Sequence, residues 1–221
     1  MKFSEDELVG VYDFGVDGCR LTKAVIERVI SFHGHYCVGL SIGIRVGDWV
    51  LREFGYSEDE ELVAVVETDM CAVDAIQFLV GCTFGKGNFI FLDYGKNAYS
   101  FFRRSDGKNV RITPRIEKNK NGIIVANSFL SDLREQQKQL DPNDIDGQKR
   151  IRESMIDRVM RTNFDNMFSI TPARIPMPDK ARIYQSFPCD KCGELVMSTR
   201  LTINKNEKNI CKECLKMDSD Y

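Results

Sequence analysis

Histidine is nearly missing from this chain, with two among 221 residues, and tryptophan occurs once. No uninterrupted apolar run approaches the roughly 18 residues that a membrane-crossing helix needs, so no helical span is expected. The opening MKFSEDELVG is acidic and lacks the apolar stretch of an export signal. Neither sign of charge dominates. Lysine and arginine number 31 against 33 acidic residues, a net charge of −2 that gives no global attraction to nucleic acid or anionic membrane. Internal repeats and low-complexity tracts are also lacking. What is present suits a folding protein: 43% of residues are hydrophobic and 29% charged, at a length that fits one sizeable domain plus a small appendage. Eight cysteines without an export signal point to metal ligands or catalytic thiols rather than disulfides. The expectation is a soluble cytoplasmic protein.

Hydrophobic periodicity predicts helices over 21–32 and 37–54, interrupted between them by HGH. The second carries Gly39, Gly43 and Gly47 on one face, at a cost in helix propensity. Close helix packing or a close ligand would explain that face. A β-rich run over 61–68 precedes a short helix over 71–81, with Asp69 as its expected cap. Strands are predicted over 88–94, 98–104 and 109–116. The first two are joined by a turn at Gly95, and the last two by the Asp-Gly turn of SDGK. Pro114 places the third at an edge or ends it early. Helices are expected over about 128–140 and 146–168, separated by DPND. This order specifies an α+β core. Four of the six prolines fall in 171–188, a stiff linker by composition, so the chain divides into a core domain over 1–170, the linker, and a tail over 189–221.

The tail carries the most specific motif. Cys189-x-x-Cys192 and Cys211-x-x-Cys214 form two thiolate pairs at the spacing of four-cysteine zinc sites. CGELVMSTRLTI reads as the intervening hairpin and ICKECLKM as the start of a helix, a treble-clef or zinc-ribbon arrangement folded by its metal. Two disulfides or a redox pair are the alternatives. From Lys180 to Lys212 the basic residues Lys180, Arg182, Lys191, Arg200, Lys205, Lys208 and Lys212 face Asp190, Glu194 and Glu207. That excess leaves nucleic acid as a conceivable partner, although no RNP-like motif or arginine-rich helix supports it.

In the core, SFHGHYCVGL gathers both histidines beside Cys37. Cys37 would start the second helix, where the dipole favours a thiolate, and Cys71 would start the third. Cys82 lies just beyond that helix, while Cys19 stands apart as a small buried hydrophobe. GCTFGKGN surrounds Lys86 with glycines, but Gly87 stands where a P-loop needs Ser or Thr. An anion-approaching loop or a plain turn remains. His33, His35, Cys37, Cys71 and Cys82, with Lys86 nearby, are therefore the candidate core site. The donors suit a second transition metal such as Zn, Ni or Fe, and the alternative is a metal-free reactive thiol.

FHGHYCVGLSIGIRVG, ETDMCAVDAIQFLVGCTFGKGN and DYGKNAYSFFRR, followed by a four-cysteine tail, resemble the FmdE family. The family takes its name from FmdE of the molybdenum or tungsten formylmethanofuran dehydrogenase. The resemblance covers about 15–115 and the tail; it departs at Val38, where proline is common. It implies an α+β core with a C-terminal zinc finger, a dimer, and a cleft lined by the histidines and cysteines above. Two functional classes follow. One is a metal- or thiol-dependent component of one-carbon or molybdenum/tungsten metabolism, acting with the other proteins of an enzyme complex. The other is a non-catalytic accessory subunit or zinc-finger adaptor that binds protein or nucleic acid.

Overall fold

Thr22 begins the first helix, α1 (Lys23–His33), by accepting a hydrogen bond from the Val25 amide, and Gly34 ends it at φ 96°. A left-handed turn of this kind suits glycine, which is why the helix stops between the two histidines. The computed structural model describes residues 14–15, 17–118, 124–203 and 208–219. It comprises two units, Met1–Lys180 and Ala181–Tyr221.

In the larger unit α2 (Val38–Phe54) follows α1 after four residues, then β1 (Leu62–Val66) and α3 (Ala72–Val80). Next come β2 (Phe89–Phe91), β3 (Tyr99–Arg103), β4 (Asn109–Pro114) and a small hairpin of β5 (Ile116–Lys118) and β6 (Ile124–Ala126). Helices α4 (Ser131–Gln139), α5 (Ile145–Arg161) and α6 (Phe164–Met167) lead into β7 (Phe168–Thr171). The main sheet has the order β2-β1-β3-β4-β7, parallel between β1 and β2 and antiparallel elsewhere. This is the expected α+β class, and no helix among the described residues is long and apolar enough to cross a membrane.

Alternation along the strands gives the sheet two faces. Leu62, Ala64, Val66, Tyr99, Phe101 and Ile112 join the main core with residues of the helices, whereas Val63, Val65 and Phe102 pack on Ala173, Ile175 and Met177.

Two local expectations are corrected. The 88–94 and 98–104 strands do not pair with each other, because β2 and β3 flank β1 on opposite sides. Of the two outcomes expected at Pro114, the structure has the early end: β4 stops there, with β7 beside it and Pro114 opposite Phe168. The predicted 146–168 helix stops short at Thr162, and β7 begins at its expected last residue. Between them Asn163 turns extended and caps α6 through the Asp165 amide. The proline-rich stretch is divided: 173–177 pack on the sheet, and Ser186–Pro188 form a strand of the smaller unit.

Candidate metal centre

Ending α1 at Gly34 and starting α2 after Cys37 leaves His33, His35 and Cys37 on one short connection. Cys37 is the N-cap of α2, its sulfur accepting the Leu40 amide at 3.3 Å. Cys71 occupies the same position on α3 without a side-chain cap bond. The expected cap, Asp69, is displaced because Thr68 Oγ1 accepts the Met70 amide and Met70 O accepts the Val73 amide.

The glycine face of α2 brings the two helix starts together. A Cβ on Gly39 would lie 3.2 Å from the Cys71 Cβ, and one on Gly43 would lie 2.3 Å from the Ala72 carbonyl oxygen. Tight packing thus accounts for that face, and the packing positions a thiol.

One ligand atom from each of His33, His35, Cys37 and Cys71 can be chosen so that all four lie within 4.8 Å of one another. His33 Nδ1 sits 2.7 Å from Asp74 Oδ2, and the His33 side chain is only 10% exposed. Its Nε2 is buried and finds no hydrogen-bond partner among the described residues. With the proton on Nδ1 and shared with Asp74, the Nε2 lone pair is free to ligate, the carboxylate–histidine arrangement that supports metal ligands. His35 is exposed, its ring centroid 4.5 Å from that of His33. Burial and then contact with Cys37 push the Cys71 thiol up. A cation would relieve that penalty, because thiolates ligate metals only when deprotonated. The donors fit a transition metal, and exposed His35 leaves the group reachable from solvent.

Sequence reasoning misses Asp74. The legible signal is CAVD, in which helical spacing sets a carboxylate one turn after the thiol.

The structure does not bring Cys82 or Lys86 to this group. Cys82 lies beyond the opposite end of α3, whose nine residues span roughly 13 Å, and it is fully buried with its thiol pushed up to about 12 by burial. Lys86 Nζ donates to the carbonyls of Ser57, Glu58 and Asp59, which use its three donors. The glycine loop around it is therefore a structural turn. Cys19 is buried, as expected of a small hydrophobe.

The tail gathers Cys189, Cys192, Cys211 and Cys214 within 4.8 Å. The single expected hairpin is replaced by two. β8 (Ser186–Pro188) pairs with β9 (Leu195–Met197) around Cys189 and Cys192, and β10 (Leu201–Ile203) pairs with β11 (Asn209–Cys211). Gly193 permits the first by turning at φ 79° and donating to the Cys189 carbonyl. Cys214 lies in the first turn of α7 (Lys212–Ser219). The Cys211 amide donates to Cys189 Sγ at 3.3 Å and the Cys214 amide to Cys211 Sγ at 3.4 Å. Backbone amides pull the Cys189 thiol down to about 6, while contact with Cys211 pushes Cys214 up to about 12. Four sulfurs gathered this closely fit a tetrahedral metal site.

A family profile described as "FmdE, Molybdenum formylmethanofuran dehydrogenase operon" matches residues 32–169. A probable S-adenosyl-L-methionine-binding protein of Archaeoglobus fulgidus is 28% identical over 219 residues. That match includes 93% of this chain but only 56% of the relative, so the chain spans little more than half its length. Among solved structures, an FmdE-like protein of Syntrophus aciditrophicus, named for a tungsten formylmethanofuran dehydrogenase, has a similar fold, with a TM-score of 0.55 and 23% identity. The similarity covers 90% of this chain and 94% of that one.

Proposed function

Because this chain belongs to the FmdE family, we propose that it is a cytoplasmic metal-binding component that serves a molybdenum or tungsten formylmethanofuran dehydrogenase system. Its core would hold Zn, Ni or Fe through His33, His35, Cys37 and Cys71, and its tail a structural zinc through Cys189, Cys192, Cys211 and Cys214. The observation that carries this reading is the buried, unpartnered Nε2 of His33, held in place through Nδ1 by Asp74. A bound metal would supply Lewis acidity to a small molecule at the solvent side. The chain's own residues orient the imidazole and hold two sulfurs against it. The relative's name adds adenosyl-methionine as a ligand to test, with the chain's partial coverage of that protein in view.

Metal analysis after anaerobic purification tests the core. Two metal ions per chain are expected, and a double variant carrying Cys37→Ser and His35→Ala should retain one. Asp74→Asn should keep the site but weaken its affinity by roughly 10- to 100-fold, as expected for loss of a supporting carboxylate. One ion per chain in the unmodified protein, even after reconstitution with Zn and Ni, would reject the core site.

A second reading, a non-catalytic zinc-finger adaptor or accessory subunit, is favoured by the self-contained fold of the four-cysteine unit. In either case we propose a homodimer. Light scattering at micromolar concentration should give twice the chain mass; a monomeric mass would exclude it.

A further inference from the structure

The outer face of the main sheet carries a polar row that neither metal group uses. Cross-strand register aligns Val65 with Ser100 and Ser100 with Arg111, and Glu67 lies two residues beyond Val65 on the same face. Arg111 grips Glu67 with two bonds, Nε to Oε1 at 2.7 Å and Nη2 to Oε2 at 2.9 Å. Both side chains are nearly buried, at 6% and 11% exposed. The pair borders a cavity of about 100 Å³, walled by Val65, Leu92 and Ile175 and rimmed by Tyr94, Lys96 and Arg174.

A bidentate pair neutralises itself, so Lys96 and Arg174 leave this small wall with two positive charges in excess. Glu67 is the carboxylate among its lining residues. The hydrogen bonds from Arg111 hold the Glu67 carboxyl below the usual carboxylate range, which keeps it charged and fully engaged. Arg111 Nη1, the Ser100 hydroxyl, the Tyr94 hydroxyl and the two rim cations are then the donors on the walls. The volume corresponds to roughly three waters at about 30 Å³ each, too small for a nucleotide and sufficient for a carboxylate or phosphate group.

We propose that this cavity is a binding site for a small oxyanion, seated on the Glu67–Arg111 pair and clamped by Lys96 and Arg174. Glu67 also sits four residues before Cys71. Chain reach therefore places the anion on a segment that ends at the candidate metal centre, within about 14 Å between those two Cα atoms.

The test is a thermal-shift and calorimetric titration of the intact protein with formate, acetate, bicarbonate, phosphate and sulfate, at constant ionic strength set by chloride. Saturable stabilisation by at least one oxyanion over chloride is expected. The planar and tetrahedral members will identify which shape the cavity accepts. A variant carrying Lys96→Gln and Arg174→Gln changes only exposed residues and should bind that anion roughly tenfold more weakly or worse. Equal effects of chloride and every oxyanion, or unaltered affinity in the double variant, would overturn the proposal.

Discussion

Replacing Cys192 with serine is expected to release one metal ion per chain and to open the unit that begins at Ala181 to protease, while residues up to Lys180 stay folded. Cys192 is the exposed member of its group, so the substitution removes a ligand with little loss of packing. Among its described residues the unit buries little else. Besides three of its cysteines, its buried cluster contains Ile210, with Val196 and Leu201 partly buried against it. Leu195 and Ile203, on its two hairpins, are 74% and 70% exposed. One buried isoleucine contributes about 1.5–3 kcal/mol, whereas structural zinc in small modules contributes an apparent ~10–16 kcal/mol. The metal term dominates. Limited proteolysis with mass spectrometry, alongside metal analysis, reads both halves of the prediction. A Cys192→Ser protein that keeps its full metal content and resists cleavage after Lys180 would remove the four-cysteine assignment.

Much of this is legible in the sequence because it is local. Paired CxxC spacing marks the tail, and the break at HGH marks two helices with Cys37 at the head of the second. Gly34 and the Cys37 cap are both short-range events. The α+β class follows from element order, and the structure has it. What stays hidden depends on which distant segments meet. β2 and β3 look like a hairpin in sequence, yet they flank β1, since strand partners are chosen by nonlocal burial. β7 escapes prediction because its four residues are too few to show a period of two. Cys82 looks equivalent to Cys71, but a helix separates them. Asp74 becomes meaningful only when α1 places His33 beside it. The Glu67–Arg111 pair spans 44 residues and needs the sheet register to be seen. Glycine spacing on α2 announces a close approach, although it does not say what approaches.

That glycine face sets the most demanding expectation for the core. Gly43→Ala should destabilise the larger unit and lower its affinity for a core metal, while the tail metal stays bound. In an exposed helix the same change would stabilise by about 1 kcal/mol through helix propensity. Here the new Cβ would stand 2.3 Å from the Ala72 carbonyl oxygen and 2.6 Å from its Cα, distances that real Cβ atoms do not adopt. The obstruction is backbone, so no rotamer change can relieve it. Ala72 follows Cys71 directly, and any shift that admits the methyl moves the Cys71 sulfur away from Cys37 and the two histidines. Overpacking of this kind costs about 1–3 kcal/mol, enough to reverse the propensity gain. Gly47→Ala is the internal comparison, since it meets side chain rather than backbone: Leu79 Cδ1 at 2.6 Å, which can rotate, and Leu79 Cβ at 3.0 Å, which must give by a few tenths of an ångström. It should be milder in stability and close to neutral in metal content. Thermal midpoints and metal content of both variants decide the matter. A Gly43→Ala protein as stable as the parent, with its core metal intact, would show that α2 and α3 can separate without disturbing the site.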